Sequence, residues 1–158
     1  MTDSKSLTIE LPWPPSTNTF LRHFLLPGRK HPSTCISEKG REFFKEVGRI
    51  LIKNRLKLPK LEGPLAVTIE IFPKDRRKID VDNRAKAVLD SLKRRPKDKK
   101  QFSGAWIFAD DDSQVHDLRL ILRNIVPNGK AIVTLTKLPS ESQPNLFVEH
   151  YPESDGIA

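Results

Sequence analysis

Asn128-Gly129, set between two strand-like stretches, constrains this chain's fold more than any other pair of residues. A two-residue turn of this type needs positive φ at both positions, which Asn and Gly accept most readily. Pro127-Asn-Gly-Lys130 is therefore expected to be a hairpin turn, with one strand from about Gln114 to Val126 and its return from Ala131 to Leu138. Leu7-Thr-Ile-Glu-Leu11 alternates apolar and polar residues and predicts a half-buried strand. Leu65-Ala-Val-Thr-Ile-Glu-Ile-Phe72 predicts another, opened by the break at Gly63-Pro64.

Two segments carry the helical period instead. Ser37 is placed to cap a helix running to about Arg55, with Phe43, Val47, Ile50 and Leu51 on one face. A second helix is expected from about Asp82 to Lys93, burying Ala85, Val88, Leu89 and Leu92. Pro12-Trp-Pro-Pro-Ser-Thr-Asn18 reads as an extended ordered loop, because its three prolines oppose both helix and ladder pairing. Leu21 to Ile36 reads as a basic loop, and Arg94 to Gly104 as a polar, strongly basic and mobile one. The order strand, helix, strand, helix, strand, strand predicts an α+β fold: a single domain with a mixed sheet of about four strands and two main helices. The domain is expected over residues 1–138, followed by a loosely held polar tail over 139–158.

Composition narrows the function. With 37% hydrophobic and 30% charged residues, the chain can bury one core, as a soluble globular domain does. No run approaches the roughly 18 apolar residues that cross a bilayer, and MTDSKSLTIELP lacks a secretory pattern, so a cytoplasmic location and no membrane partner are expected. Cys35 is the only cysteine, which excludes an internal disulfide and any multi-cysteine zinc site. A net charge of +8 favours a polyanionic partner, because neutralising phosphates releases condensed counterions.

The chemistry-bearing residues gather in one stretch. In an extended segment Asp80 and Asp82 would project to the same side, and Lys86 would follow Asp82 by one helical turn. Two carboxylates and an ammonium would then meet at a helix N-terminus, whose free N–H groups suit an anion. A third carboxylate is expected from Asp110-Asp-Asp112, just before a strand. Oxygen-only clusters of this kind suit Mg²⁺, which can polarise a phosphodiester and activate a water. The plainer alternative is a helix cap with a surface ion pair, beside a solvated acidic turn. Glycosyltransferases also use Asp-x-Asp, but on a larger nucleotide-binding fold. His23, His31, His116 and His150 lack metal-ligand spacing, and Trp13 and Trp106 fit core or loop anchors better than base-stacking platforms.

Three segments occur together: Leu11-Pro-Trp-Pro-Pro-Ser-Thr-Asn18, Arg76-Arg-Lys-Ile-Asp-Val-Asp-Asn-Arg-Ala-Lys86, and Asp111-Asp-Ser-Gln-Val115. In this order the chain resembles the RusA-type Holliday junction resolvases, from about Leu7 to Leu138. The resemblance implies a homodimeric, Mg²⁺-dependent endonuclease that binds four-way DNA junctions and nicks two opposing strands symmetrically, in recombination and repair. It also implies that Asp80, Asp82 and Asp112 bind metal and that Lys86 is the catalytic lysine. DNA contacts are implied for Arg76, Arg77, Lys78 and Asn83, and for Ser16, Thr17, Asn18 and Thr19 in the amino-terminal loop. Two features depart from the family pattern. A basic insertion (Arg94, Arg95, Lys97, Lys99, Lys100) lengthens the link to the acidic cluster, and an extra aspartate leaves Asp111 competing with Asp112 as third ligand. The rival expectations are a non-catalytic branched-DNA or single-strand-binding module, which leaves the acidic motifs without a purpose, and a small-molecule phosphohydrolase, which leaves the basic loops without one.

Overall fold

The structure, a computed structural model, describes residues 6–54, 61–93, 107 and 112–139. The basic insertion, Trp106, Asp110, Asp111 and the tail from Ser140 onward lie outside the described residues. The elements are β1 (Ser6–Pro12), α1 (Thr17–Phe20), β2 (Leu21–Phe24), β3 (Ser33–Ile36), α2 (Glu38–Asn54), β4 (Leu65–Phe72), α3 (Asp82–Leu92), a 3₁₀ turn (Asp112–Gln114), β5 (Val115–Leu122) and β6 (Lys130–Lys137). Among the described residues, no helix is long and apolar enough to cross a membrane.

The expected α+β fold with a mixed four-stranded sheet is present, in the strand order β1-β6-β4-β5. β6 runs antiparallel to both β1 and β4, whereas β5 runs parallel to β4. Alternation along the strands makes one face of the sheet apolar: Ile9 and Leu11, Leu65 to Ile71 at every second residue, and Ala131, Val133 and Leu135 are all buried. Phe43, Phe44, Val47 and Leu51 of α2, and Ala85, Val88, Leu89 and Leu92 of α3, close the core over that face. The other face is polar, with Thr8 bonded to Thr134, Lys130 to Glu10 and Arg123 to Glu70. Ser37 caps α2 as its sequence suggests, accepting a hydrogen bond from the Gly40 amide at 3.1 Å.

Three expectations are corrected. Asn128 and Gly129 do take positive φ, 64° and 65°, but they do not close a hairpin. β4 lies between the two strands they join, and the connection crosses its end, held by Arg123 N–H to the Ile71 carbonyl and Val126 N–H to the Pro73 carbonyl. The reason is burial. The inner face of β4 is 0–1% exposed, and only a central strand gains that much cover. The strand expected to reach Val126 accordingly ends at Leu122, where the crossing begins.

Leu21 to Ile36 is not all loop. β2 and β3 pair antiparallel, Leu21 opposite Ile36 and Phe24 opposite Ser33, around a turn in which Gly28 has φ 80°. Finally, Thr17–Phe20 closes one helical turn within the stretch expected to be extended, Phe20 N–H bonding the Ser16 carbonyl at 2.7 Å.

Candidate active site

β4 ends at Phe72, and the basic loop Lys74–Lys78 leads from it into α3. Val81 already has helical φ and ψ (−68°, −40°), so Asp82 is the first helical residue and not the cap. The backbone there is not extended, and the same-side argument for Asp80 and Asp82 does not apply to it. Both carboxylates are nevertheless exposed, flanking Val81, which packs on the core. Asn83 Nδ2 donates to Asp80 Oδ2 at 3.2 Å and orients that carboxylate. Asp82, in the first turn of α3, sits where the helix dipole favours negative charge.

Lys86 is one turn further on, but its ammonium meets a group that the sequence reading missed. Nζ lies 3.4 Å from Asp90 Oδ2, and Lys93 Nζ reaches the same carboxylate at 2.6 Å. The signal was available: Lys86 and Asp90 are four apart on one helix face.

The amino-terminal loop is fastened to this helix start. Thr17 Oγ1 donates to the Asn83 carbonyl at 2.9 Å, and Arg84 Nη1 donates to the Pro14 carbonyl. The Arg84 guanidinium also lies 4.1 Å from the centroid of the Trp13 ring, a cation–π stack. Burial pulls the pKa of Arg84 below its usual value, with Asp75 opposing that pull and Arg77 adding to it. Trp13 in turn packs under Gly129, where an added Cβ would stand 2.7 Å from its ring. Trp13 is a loop anchor, as its bulk suggested, but its partner Arg84 was not foreseen.

Between the loop, α2 and the segment that leads into α3 opens a cleft of about 570 Å³, where the cations Lys39, Arg77, Lys78 and Arg84 stand beside Glu42 and Glu46 of α2, with Ser16 and Thr19 on the loop side. It brings together residues of both expected DNA-contact segments. Ser16 and Thr19 bond each other through their hydroxyls at 3.0 Å, while Asn18 and Arg76 are exposed and Thr17 is taken up by Asn83. Arg77 is held by Asp75 through Nε and Nη2, at distances down to 2.6 Å. Those side-chain bonds, followed by the Arg77 amide, lower the Asp75 carboxyl to about 2.

Asp112 is placed elsewhere. Its backbone opens the 3₁₀ turn before β5, and buried Gln114 fixes that turn by donating to the Gly63 carbonyl at 2.9 Å. Val115, the first residue of β5, lies opposite Leu65, the first residue of β4. Asp80 and Asp82 follow the last residue of β4. The two acidic segments thus sit at opposite ends of the β4–α3–β5 unit, and α3, with 11 residues, spans roughly 16 Å between them. Among the described residues, no three His, Cys, Asp or Glu side chains are grouped as a metal cage.

The chain matches the family described as Endodeoxyribonuclease RusA over residues 12–136. It belongs to the RusA family. Its relatives include the crossover junction endodeoxyribonuclease RusA of Escherichia coli strain K12, 35% identical over 134 residues, covering 85% of this chain and 97% of that protein. The RusA of Shigella sonnei strain Ss046 is 36% identical with the same coverage, and that of Enterobacteria phage 82 is 35% identical over 133 residues, covering 84% and 96%. The RusA match takes in the amino-terminal loop, the Asp80–Lys86 stretch and the Asp112 turn.

Proposed function

We propose that this RusA-family chain is a Mg²⁺-dependent endodeoxyribonuclease that resolves four-way DNA junctions by paired symmetric nicks, working as a homodimer on cytoplasmic DNA. The observation that carries it is the exposed carboxylate pair Asp80 and Asp82 at the entrance of α3, beside a cleft lined by Arg77, Lys78 and Arg84. The relatives are named crossover junction endodeoxyribonucleases, which agrees with that chemistry.

The donor set fits Mg²⁺, since only hard oxygens are offered and both carboxylates are open to solvent. When bound, the ion would polarise the scissile phosphate and lower the pKa of the attacking water. Asp80 and Asp82 would hold it, with Asn83 fixing the orientation of Asp80. Lys86 would stabilise charge developing on the phosphate oxygens, as a positioned cation does where negative charge builds up. Arg76, Arg77 and Lys78, with Ser16 to Thr19, would contact phosphates and position the junction without reading its bases. The domain is taken as residues 1–138, with 139–158 as an appended tail.

Asp112 enters this reading through the dimer. Its turn and the Asp80–Asp82 pair occupy opposite ends of one subunit, so the third carboxylate at each site would be the partner's Asp112. A two-fold dimer then builds two equivalent sites, one for each nicked strand.

The test is Mg²⁺-dependent cleavage of a synthetic four-way junction, compared with linear duplex and with nucleotides. Asp80→Asn, Asp82→Asn and Asp112→Asn should each abolish cleavage and keep junction binding, because losing negative charge does not weaken attraction for phosphates. Mixing Asp82→Asn with Asp112→Asn should restore nicking of one strand, since one site of the heterodimer regains all three aspartates. A mixture that stays inactive although heterodimers form would remove the shared site. Substantial cleavage by Asp82→Asn alone would remove the metal site itself.

A further inference from the structure

The segment between α1 and α2 projects from the molecule as an arm. Its two short strands, β2 and β3, pair only with each other among the described residues. The base of the arm is fastened: Leu21 and Ile36 pack on the core, and Ser37 donates through its amide to the Phe20 carbonyl and through its hydroxyl to the Thr19 carbonyl. Beyond that base, every residue from Arg22 to Pro32 is exposed. An added Cβ on Gly28, at the turn, would meet nothing within 4 Å. The four-residue strands carry the arm roughly 13 Å outward before the turn extends it further.

Its tip is apolar. Phe24, Leu25 and Leu26 follow one another and are 36%, 64% and 39% exposed, with Pro27 after them. Single exposed apolar side chains are ordinary on a surface, whereas three in a row at the end of an arm mark a contact. The flanks are cationic: Arg22 and His23 lead into the tip, and Arg29, Lys30 and His31 leave it. No acidic residue occurs between Glu10 and Glu38. The matching partner offers negative charge on both sides of an apolar surface. A nucleic acid opened at a base step does so, with phosphates outside and base faces within.

We propose that this arm is a wedge for the centre of branched DNA, in which Leu25 and Leu26 pack on base faces at the branch point while Arg22, Arg29 and Lys30 hold the flanking phosphates. This rests on the junction-endonuclease reading above and gives it a source of selectivity. In linear duplex the base faces are covered by stacking, and a wedge must first prise a step apart. At a branch that stacking is already interrupted, so the same wedge enters at less cost. Aliphatic side chains form no hydrogen bonds to base edges, so the tip reads the branch and not its sequence. The arm also starts in the right place. Thr17, just before it, donates to the Asn83 carbonyl in the first turn of α3, and Ser16 and Thr19 line the basic cleft. The base of the wedge is thus tied to the helix that carries Asp82.

The test uses the full chain without divalent ion, so that no strand is cut, and compares a synthetic four-way junction with linear duplex. Leu25→Ser combined with Leu26→Ser changes two exposed side chains and should leave the melting temperature unchanged. Junction affinity should fall on the order of tenfold, while duplex affinity stays within about twofold. The slope of log affinity against log salt should not change, since no phosphate contact is lost. Leu25→Met combined with Leu26→Met should keep junction affinity.

A second measurement reads the DNA. 2-Aminopurine beside the branch point should brighten when natural protein saturates the junction, because its neighbour is unstacked, and should brighten less with the double serine variant. The same base well inside a duplex limb should not respond. Equal junction affinity and equal fluorescence for the natural protein and the serine variant would overturn the wedge while leaving the junction-endonuclease reading standing. So would a serine variant that keeps its junction affinity but loses binding to phosphatidylglycerol vesicles, which would make the arm a membrane contact. A natural protein that neither prefers four-way junctions nor cuts them in Mg²⁺ would overturn that reading, and the wedge with it.

Discussion

The Arg84 guanidinium lies 4.1 Å from the Trp13 ring centroid, joining the loop after β1 to the first turn of α3. This contact, and the bond from Arg84 to the Pro14 carbonyl, tie the wall of the cleft to the start of α3.

Arg84→Lys keeps the charge and loses the flat face that stacks on the indole. The stack and its hydrogen bond together should be worth about 1–2 kcal/mol, which for a domain this size lowers the melting temperature by roughly 3–8 °C. Junction cleavage should fall with it at subsaturating DNA. Thermal melting followed by circular dichroism reads the first effect. An unchanged melting temperature would mean that the stack adds nothing.

Lys86 sits between two acidic neighbours, one turn after Asp82 and 3.4 Å from Asp90. Lys86→Ala should lower the single-turnover cleavage rate by about 100-fold or more while changing junction affinity less than about threefold. Asp90→Asn should show a smaller loss in rate, because it loosens the group that aims Lys86. Equal losses in rate and affinity for Lys86→Ala would mark it as an ordinary phosphate contact.

The Asp75–Arg77 clamp has a definite pH range. Asp75 is lowered from 3.8 to about 2, so the clamp is complete above the unfolded value and is lost only as pH falls through about 2. Between pH 5 and 9 it should not titrate. Asp75→Asn frees Arg77 and removes a negative charge, and it should tighten junction binding a few-fold at low salt. The ratio of variant to natural affinity should stay flat across that range. A ratio that collapses toward one at pH 5 would contradict the assignment.

The insertion carrying Arg94, Arg95, Lys97, Lys99 and Lys100 follows α3 and leads toward the Asp112 turn. Replacing these five with Ser should weaken binding to junctions of any sequence. The slope of log affinity against log salt should become shallower by up to about 0.9 per lost phosphate contact. Cleavage at saturating protein should change little. If affinity and slope both stay the same, the insertion is only a spacer.

The sequence by itself determined what depends on near neighbours. Alternation at Leu7–Leu11 and Leu65–Phe72, the apolar face of α2 and the Ser37 cap were legible because each is a local period or a local bond. Asp80, Asp82 and Lys86 could be considered together from sequence because they lie within seven residues, whereas the Asp90 that meets Lys86 came from the structure. Tertiary structure decided the rest. A positive-φ turn at Asn128-Gly129 reverses the chain, but it does not say which strand the returning segment will pair with. That choice went to β4, whose inner face needed cover on both sides. It made β5 parallel to β4 and carried Asp112 away from Asp80 and Asp82. The stack of Arg84 on Trp13, 71 positions apart, was hidden for the same reason. Periodicity reports which face of an element is buried, whereas the neighbour it is buried against is chosen by the apolar area of the whole chain.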